Sequence, residues 1–234
     1  MRLRRLYLLM VACFLFLGGI QAQDFPKVVF PGDYPDPSIL RDGKDYYMTH
    51  SPFYYAPGFL IWHSTDLMHW EPVCRALPEY EGSAMAPDLL KYQGRYYLYY
   101  PTSTGENYVI YADDIRGPWS KPVKLEVTGI DPGHVIGEDG KRYLFTNNGW
   151  ITPLSEDGLK VIGQSRKVYD GWKYPANWVT EGKNMYLESP KLIRKDGYYY
   201  MISAEGGTAG TSHKPYVCGG SFQICIWSLG EFAL

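Results

Sequence analysis

Apolar and aromatic positions along this chain recur in short alternating bursts, not at helical spacing. Four bursts look alike: Asp42-Gly43-Lys44-Asp45-Tyr46-Tyr47-Met48, Tyr92-Gln93-Gly94-Arg95-Tyr96-Tyr97-Leu98, Glu138-Asp139-Gly140-Lys141-Arg142-Tyr143-Leu144 and Lys195-Asp196-Gly197-Tyr198-Tyr199-Tyr200-Met201. Each sets a glycine turn ahead of an aromatic strand, the mark of a β-hairpin. Tyr47, Tyr97, Tyr143 and Tyr199 step by roughly 50 residues. A second unit recurs out of phase: the run from Trp62 through Trp70 and Pro72 to Val73 matches the run from Tyr111 through Trp119 and Pro122 to Val123. Both read strand, short turn, Trp, Pro, Val. Repeats of this length, each a few short strands, predict an all-β chain folded as a β-propeller. The alternative is a sandwich with unrelated Tyr-rich hairpins. Beyond the first residues there is almost no helical periodicity.

The first 22 residues follow a different pattern. Arg2, Arg4 and Arg5 precede an apolar run from Leu6 to Ile20, and the segment ends in a small residue, Ala22. This reads as a secretory signal peptide over 1–22, placing the protein in the periplasm or outside the cell. A membrane anchor would need about 20 apolar residues, more than the run supplies. Removing the leader leaves 20 Lys and Arg against 25 Asp and Glu, a net charge of about −5. That balance disfavours nucleic acid as a partner, because phosphate binding needs a basic surface. No membrane partner is expected once the leader is cleaved. Cys74, Cys218 and Cys225 form neither a disulfide framework nor a zinc pattern. The chain has 22 Tyr, which suits both a sugar-binding cleft and a β-sheet core; composition does not separate the two.

Three acids sit in proline-rich turns just before Tyr-rich strands: Asp36 in Tyr34-Pro35-Asp36-Pro37-Ser38, Asp131 in Ile130-Asp131-Pro132-Gly133-His134, and Glu188 in Leu187-Glu188-Ser189-Pro190-Lys191. Taken singly, each reads first as something plainer: Asp36 and Asp131 as turn residues and Glu188 as a sheet-edge charge. A propeller brings such turns together around its axis. Converging carboxyls suit glycoside cleavage, which uses one carboxylic acid and one carboxylate on opposite sides of a sugar; in the inverting form they stand about 6.5–9.5 Å apart to admit water.

The ordered set Tyr-Pro-Asp-Pro-Ser, Ala86-Pro87-Asp88, Ile-Asp-Pro-Gly-His and Glu-Ser-Pro-Lys resembles glycoside hydrolase family 43, over about Asp33 to His213. The resemblance implies a five-bladed propeller acting as a β-xylosidase or α-L-arabinofuranosidase on plant cell-wall polysaccharide. It implies Asp36 as general base, Glu188 as general acid, and Asp131 as the acid that orients its partner and raises the pKa of Glu188. Ser189 stands where the family more often has Gly. Phe53, Tyr54 and Trp62 are candidates either for stacking on a sugar or for core packing. Met85 and Asn147 are candidates for lining the cleft, whereas His134 reads as a loop histidine and Asp88 as a turn residue. No cofactor is implied for the bond-breaking step. Some members hold a central ion near a histidine of a late blade, which makes His213 a candidate neighbour for structural calcium.

After His213 the repeat pattern fails. We therefore expect 23–213 to be a partial family 43 catalytic domain of about four blades, the last blade missing, and 214–234 to be an aberrant tail. Back-translated and read one base later, the tail permits a Gly-Pro-Trp peptide like Gly117-Pro118-Trp119, which points to a shifted frame; a natural divergent C-terminus is the alternative. An unclosed propeller exposes sheet edges and apolar faces, so such a chain is expected to be poorly soluble or inactive. The rival readings are a non-catalytic carbohydrate-binding propeller and an inactive truncated product.

Overall fold

A computed structural model describes residues 28–170, 187–205 and 221–228, with Glu205 and 221–228 described by backbone alone. The leader at 1–22 and His213 lie outside the described residues. The chain divides into a unit ending at Gly32 and a unit from Asp33 to Leu234; all the sheets belong to the second.

The predicted hairpins form, and each opens one sheet. The first sheet runs β1 (Ser38–Asp42), β2 (Asp45–Thr49), β3 (Gly58–Ser64) and β4 (Glu71–Leu77). The second runs β5 (Asp88–Tyr92), β6 (Arg95–Pro101), β7 (Glu106–Ala112) and β8 (Val123–Thr128). The third runs β9 (Gly133–Ile136), β10 (Arg142–Thr146), β11 (Trp150–Leu154) and β12 (Arg166–Lys167). The fourth runs β13 (Glu188–Lys195), β14 (Tyr198–Glu205) and β15 (Ser221–Ser228). Strands follow chain order within every sheet, and all paired neighbours are antiparallel. The turns Gln93-Gly94 and Asp196-Gly197 have positive φ at both residues (48° and 84°, 51° and 81°). That is the two-residue turn whose twist matches a hairpin, and it needs glycine at its second position.

The repeated tyrosines occupy the second strand of each sheet. Tyr47, Tyr97, Tyr143 and Tyr199 are all buried, so the repeated tyrosines belong to the core. Three apolar clusters fill the spaces between successive sheets. Phe59, Ile61 and Leu77 of the first sheet pack on Leu98, Tyr100 and Ile110 of the second. Tyr97, Tyr99 and Val109 of the second pack on Leu144 and Leu154 of the third. Phe145 and Ile151 of the third pack on Tyr199 and Met201 of the fourth. The opening strands β1, β5, β9 and β13 contact one another in that order. Sheets stacked face to face in sequence, with their first strands gathered together, are the arrangement of a β-propeller.

One ionised side chain lies in the space between the second and third sheets. Arg142 is 1% exposed. Its guanidinium sits 4.2 Å from the Tyr97 ring centroid and 4.7 Å from that of Tyr92. It donates to His134 Nε2 (3.0 Å) and to Tyr99 Oη (3.0 Å). Ring faces and hydrogen bonds thus replace the carboxylate that a buried cation usually requires. His134 is a strand residue of β9, not the loop histidine its sequence context suggests.

The sequence pattern predicts no strand after His213, yet β15 pairs with β14 along eight register positions, from Tyr198–Ser228 to Glu205–Ser221. Its residues, Ser-Phe-Gln-Ile-Cys-Ile-Trp-Ser, favour strands, but no glycine–tyrosine unit announces them.

Candidate active site

The four sheets present their first strands through the same backbone device. A residue at positive φ precedes proline in each: Asp36-Pro37 (φ 53°), Ala86-Pro87 (40°), Asp131-Pro132 (58°) and Ser189-Pro190 (52°). Left-handed backbone is uncommon for residues with a Cβ, and a following proline disfavours helical conformations further. Four such units at equivalent positions are strain held in place by surrounding structure, a condition that clusters at functional sites. Asp36 and Asp131 occupy the strained position itself. Glu188 lies one residue before it, so the fourth sheet offers its acid from a different angle.

Contacts from neighbouring sheets fix each acid. Asp36 is exposed and accepts a 2.5 Å hydrogen bond from Ser51 Oγ. Ser51 is itself buried, and its oxygen accepts from the backbone N–H of Ala86 (2.6 Å), joining the first sheet's acid to the head of the second. Asp131 is half-buried and accepts from the backbone N–H of Ser189 (3.0 Å) in the fourth sheet. Residues after β10 hold the turns that carry the other two acids. Asn147 Oδ1 accepts from Ile130 N (3.1 Å), while Asn148 N donates to Leu187 O (2.7 Å).

This crowding perturbs the carboxyls of Asp131 and Glu188. Burial pushes the Asp131 carboxyl above its ordinary value; the Ser189 N–H opposes that, Asp36 adds to it, and Lys191 opposes it. Burial also raises the half-buried Glu188, with the charges of Asp131 and then Asp36 raising it further. Sequence reasoning assigned that shift to Asp131 alone, whereas the leading cause is desolvation. The three acids are therefore within electrostatic reach of one another.

The other predicted residues divide by what their side chains already touch. Phe53 is 36% exposed at positive φ (47°), and its N–H donates to Ala84 O two residues from Ser51. Phe53 is thus a partly exposed aromatic two residues along the chain from Ser51. Met85, half-buried, is tied to the second sheet by its N–H to Pro101 O (3.0 Å) and immediately precedes Ala86. Trp62, half-buried, meets the ring of Tyr34 edge-on at 5.9 Å, and Tyr34 also meets His50 at 5.0 Å. Trp62 thus lies in an aromatic cluster two residues from Asp36. The carboxamide oxygen of Asn147 is engaged with the backbone ahead of Asp131. A polar groove of about 690 Å³, lined by residues including Tyr92, Arg95, Asp113 and Lys160, contains none of the three acids. Among the described residues no three His, Cys, Asp or Glu converge as a metal site.

Sequence reasoning missed Ser51, Asn148 and Lys191. Asp88, which the sequence suggested as a turn residue, is buried and accepts from His134 N (2.7 Å).

Comparison with known proteins identifies the class to which this fold and site belong. The family model for glycosyl hydrolases family 43 matches residues 25–223, and the chain belongs to that family. Among curated relatives, a xylosidase/arabinosidase of Butyrivibrio fibrisolvens is 34% identical over 207 residues, 77% of this chain and 38% of that protein. A non-reducing end alpha-L-arabinofuranosidase of Bacteroides ovatus is 29% identical over 232 residues, 91% of this chain and 42% of that protein. A crystal structure of a family 43 protein from Bacillus licheniformis superposes with TM-score 0.71 at 31% identity, covering 86% of this chain and 41% of that one. The chain spans about two fifths of the length of the curated relatives it matches.

Proposed function

We propose that this chain carries the acid–base centre of an inverting glycosidase that releases terminal pentoses, β-xylose or α-L-arabinofuranose, from plant cell-wall polysaccharides or their oligosaccharides. The observation that carries the proposal is the contrast between two carboxyls. Glu188 is half-buried and biased towards its protonated form, while Asp36 is exposed and held by Ser51. Such a pair divides naturally into acid and base. Asp36 takes a proton from water as the water oxygen attacks the anomeric carbon. The glycosidic C–O bond breaks, and Glu188 gives its proton to the departing oxygen. Solvent then returns both groups to their starting states. Asp131 tunes Glu188 by charge and, through Ser189 N–H, sets its orientation.

The printed names of the relatives, xylosidase/arabinosidase and alpha-L-arabinofuranosidase, support both pentoses and do not choose between them. Phe53 supplies an exposed ring for stacking against a sugar. Met85, Trp62 and Asn147 support the walls and turns around it. The acid–base step calls on no cofactor; structural calcium beside His213 would be a matter of fold, not of bond breaking. The leader supports export to the periplasm or beyond, and the net negative charge supports a carbohydrate rather than a nucleic acid partner.

The test is to assay the purified protein on p-nitrophenyl β-D-xylopyranoside and α-L-arabinofuranoside, following the first-formed anomer by NMR. Inversion is expected. Asp36→Asn should abolish hydrolysis and leave sugar binding largely intact. Binding without hydrolysis in the wild type would identify a non-catalytic carbohydrate-binding propeller. Loss of both would identify an inactive product.

A further inference from the structure

Where the first strands gather, an ammonium group from the fourth sheet sits among oxygens of the second and third. Lys191 Nζ, carried on β13, donates to Pro132 O (2.8 Å), Asp88 Oδ1 (3.0 Å) and Pro87 O (3.1 Å). The side chain is 30% exposed and Asp88 only 12%. The two carbonyls are not arbitrary. Each belongs to the proline that follows a left-handed residue, Ala86 in the second sheet and Asp131 in the third. Asp88 in turn holds His134 N of β9 through its other oxygen.

The opening strands are stitched in a chain that leads to this lysine. Ser38 Oγ accepts from Leu89 N (2.9 Å), linking the first sheet to the second. Asp88 links the second to the third. Between the third and fourth, a Cβ at Gly133 would stand 1.8 Å from Pro190 O, so the strands meet there by close backbone approach. Lys191 then spans from the fourth sheet back to the second and third. Asp131 is bracketed by this strand from two sides: Ser189 N–H holds its carboxylate, and Lys191 holds the carbonyl of the next residue.

We infer that Lys191 is a positioning residue that serves as an internal cation, fixing the Asp131-Pro132 turn against the strand bearing Glu188 and setting a positive charge beside that turn. The inference rests on the acid–base reading of these carboxyls. A single mobile charge in water would do little, but one shared among three acceptors in a partly desolvated centre is worth more. The charged groups facing Asp131 are Asp36 from the head of β1, and Glu188 and Lys191 from β13; Asp88 from β5 is the counter-charge of Lys191. The positive charge opposes the upward push of burial on Asp131.

The experiment compares wild type with Lys191→Gln, which keeps N–H donors but removes the charge, and with Lys191→Arg, which restores it. For Lys191→Gln, kcat should fall by up to about 100-fold, the cost of roughly 1 Å of misplacement, with KM little changed. The acid limb of the pH–rate profile should move to higher pH, and Lys191→Arg should move it back. A purely structural lysine would lower activity without moving the limb, and that result overturns the inference. Lys191→Ala supplies a second route. Ammonium chloride should restore its activity where sodium chloride does not, and equal effects of the two salts would count against the internal-cation role. Should the wild type show no hydrolysis, the proposed function fails by itself. The lysine's role is then read from carboxyl carbon NMR of Asp131, whose pKa should rise in Lys191→Gln; an unchanged titration rejects it.

Discussion

Gly133→Ala tests whether the fourth sheet's acid depends on close approach of β9 and β13. A Cβ at Gly133 would lie 1.8 Å from Pro190 O, 3.0 Å from Pro190 C and 3.4 Å from Leu192 Cδ1. The obstructing atom is backbone and cannot rotate away. Real Cβ contacts essentially never fall below 3.0 Å, so the strands must separate by at least about 1 Å to relieve the overlap. Pro190 follows Ser189, which binds Asp131, and lies two residues beyond Glu188, so the separation moves the acid relative to its modulator. Overpacking of this kind costs about 1–3 kcal/mol, enough to lower Tm by several degrees in a chain of this size. Displacement of a catalytic group by about 1 Å costs on the order of 100-fold in rate. Gly140→Ala is the control: it adds a Cβ in a turn with nothing within 4 Å, though at positive φ (76°). It should lose a little stability and no activity. Differential scanning fluorimetry and kcat/KM on the p-nitrophenyl pentosides measure both. A Gly133→Ala protein with unchanged Tm and unchanged kcat/KM would refute the claim that this contact sets the site.

Three further outcomes follow from the same geometry. Ser51→Ala removes the donor to Asp36 and the acceptor for Ala86 N–H, and should cost about 2 kcal/mol in transition-state or folding free energy, read from kcat/KM and urea melts. Glu188→Gln should be more stable than wild type at pH 7–8. The carboxyl's raised folded pKa means that its contribution is present below its ordinary value of 4.5 and lost as pH rises through the folded value. The two proteins should therefore converge in Tm near pH 4, and a constant difference across pH would exclude this cause. His134 has the opposite sign: burial, with the charge of Arg142, pushes it down to about 3. Its contribution is full above its ordinary value of 6.5 and is lost as pH falls towards 3. His134→Gln, which keeps an acceptor for Arg142, should flatten the loss of stability between those values in denaturant titrations.

The repeat was legible because its signals are local. A glycine turn and the tyrosine strand after it lie within seven residues, and a hairpin needs little else to declare itself. The acids were legible because each is flanked by proline in a short motif. What holds them was not. Lys191 reaches partners 103 and 104 positions away, and Ser51 bonds Ala86 across 35; no short pattern encodes such pairs. Phe53 and Trp62 look alike in sequence, yet Phe53 is exposed while Trp62 is half-buried against Tyr34, which lies 28 positions earlier in the turn ahead of β1. Burial, the leading cause of the Glu188 shift, likewise depends on sheets distant in sequence. Strand β15 escaped notice because the Gly219-Gly220 pair ahead of it is followed by no tyrosine run like those of the other hairpins.

The left-handed residue–proline unit at the head of every sheet separates shape from chemistry. Asp36, Ala86, Asp131 and Ser189 stand on equivalent backbone, and the strain that fixes their direction belongs to the repeat, not to any one side chain. A segment copied by gene duplication inherits that socket with its geometry already solved. One codon then decides what the socket bears: a carboxylate at two sheets, a hydroxymethyl group at a third, and at Ala86 a bare methyl.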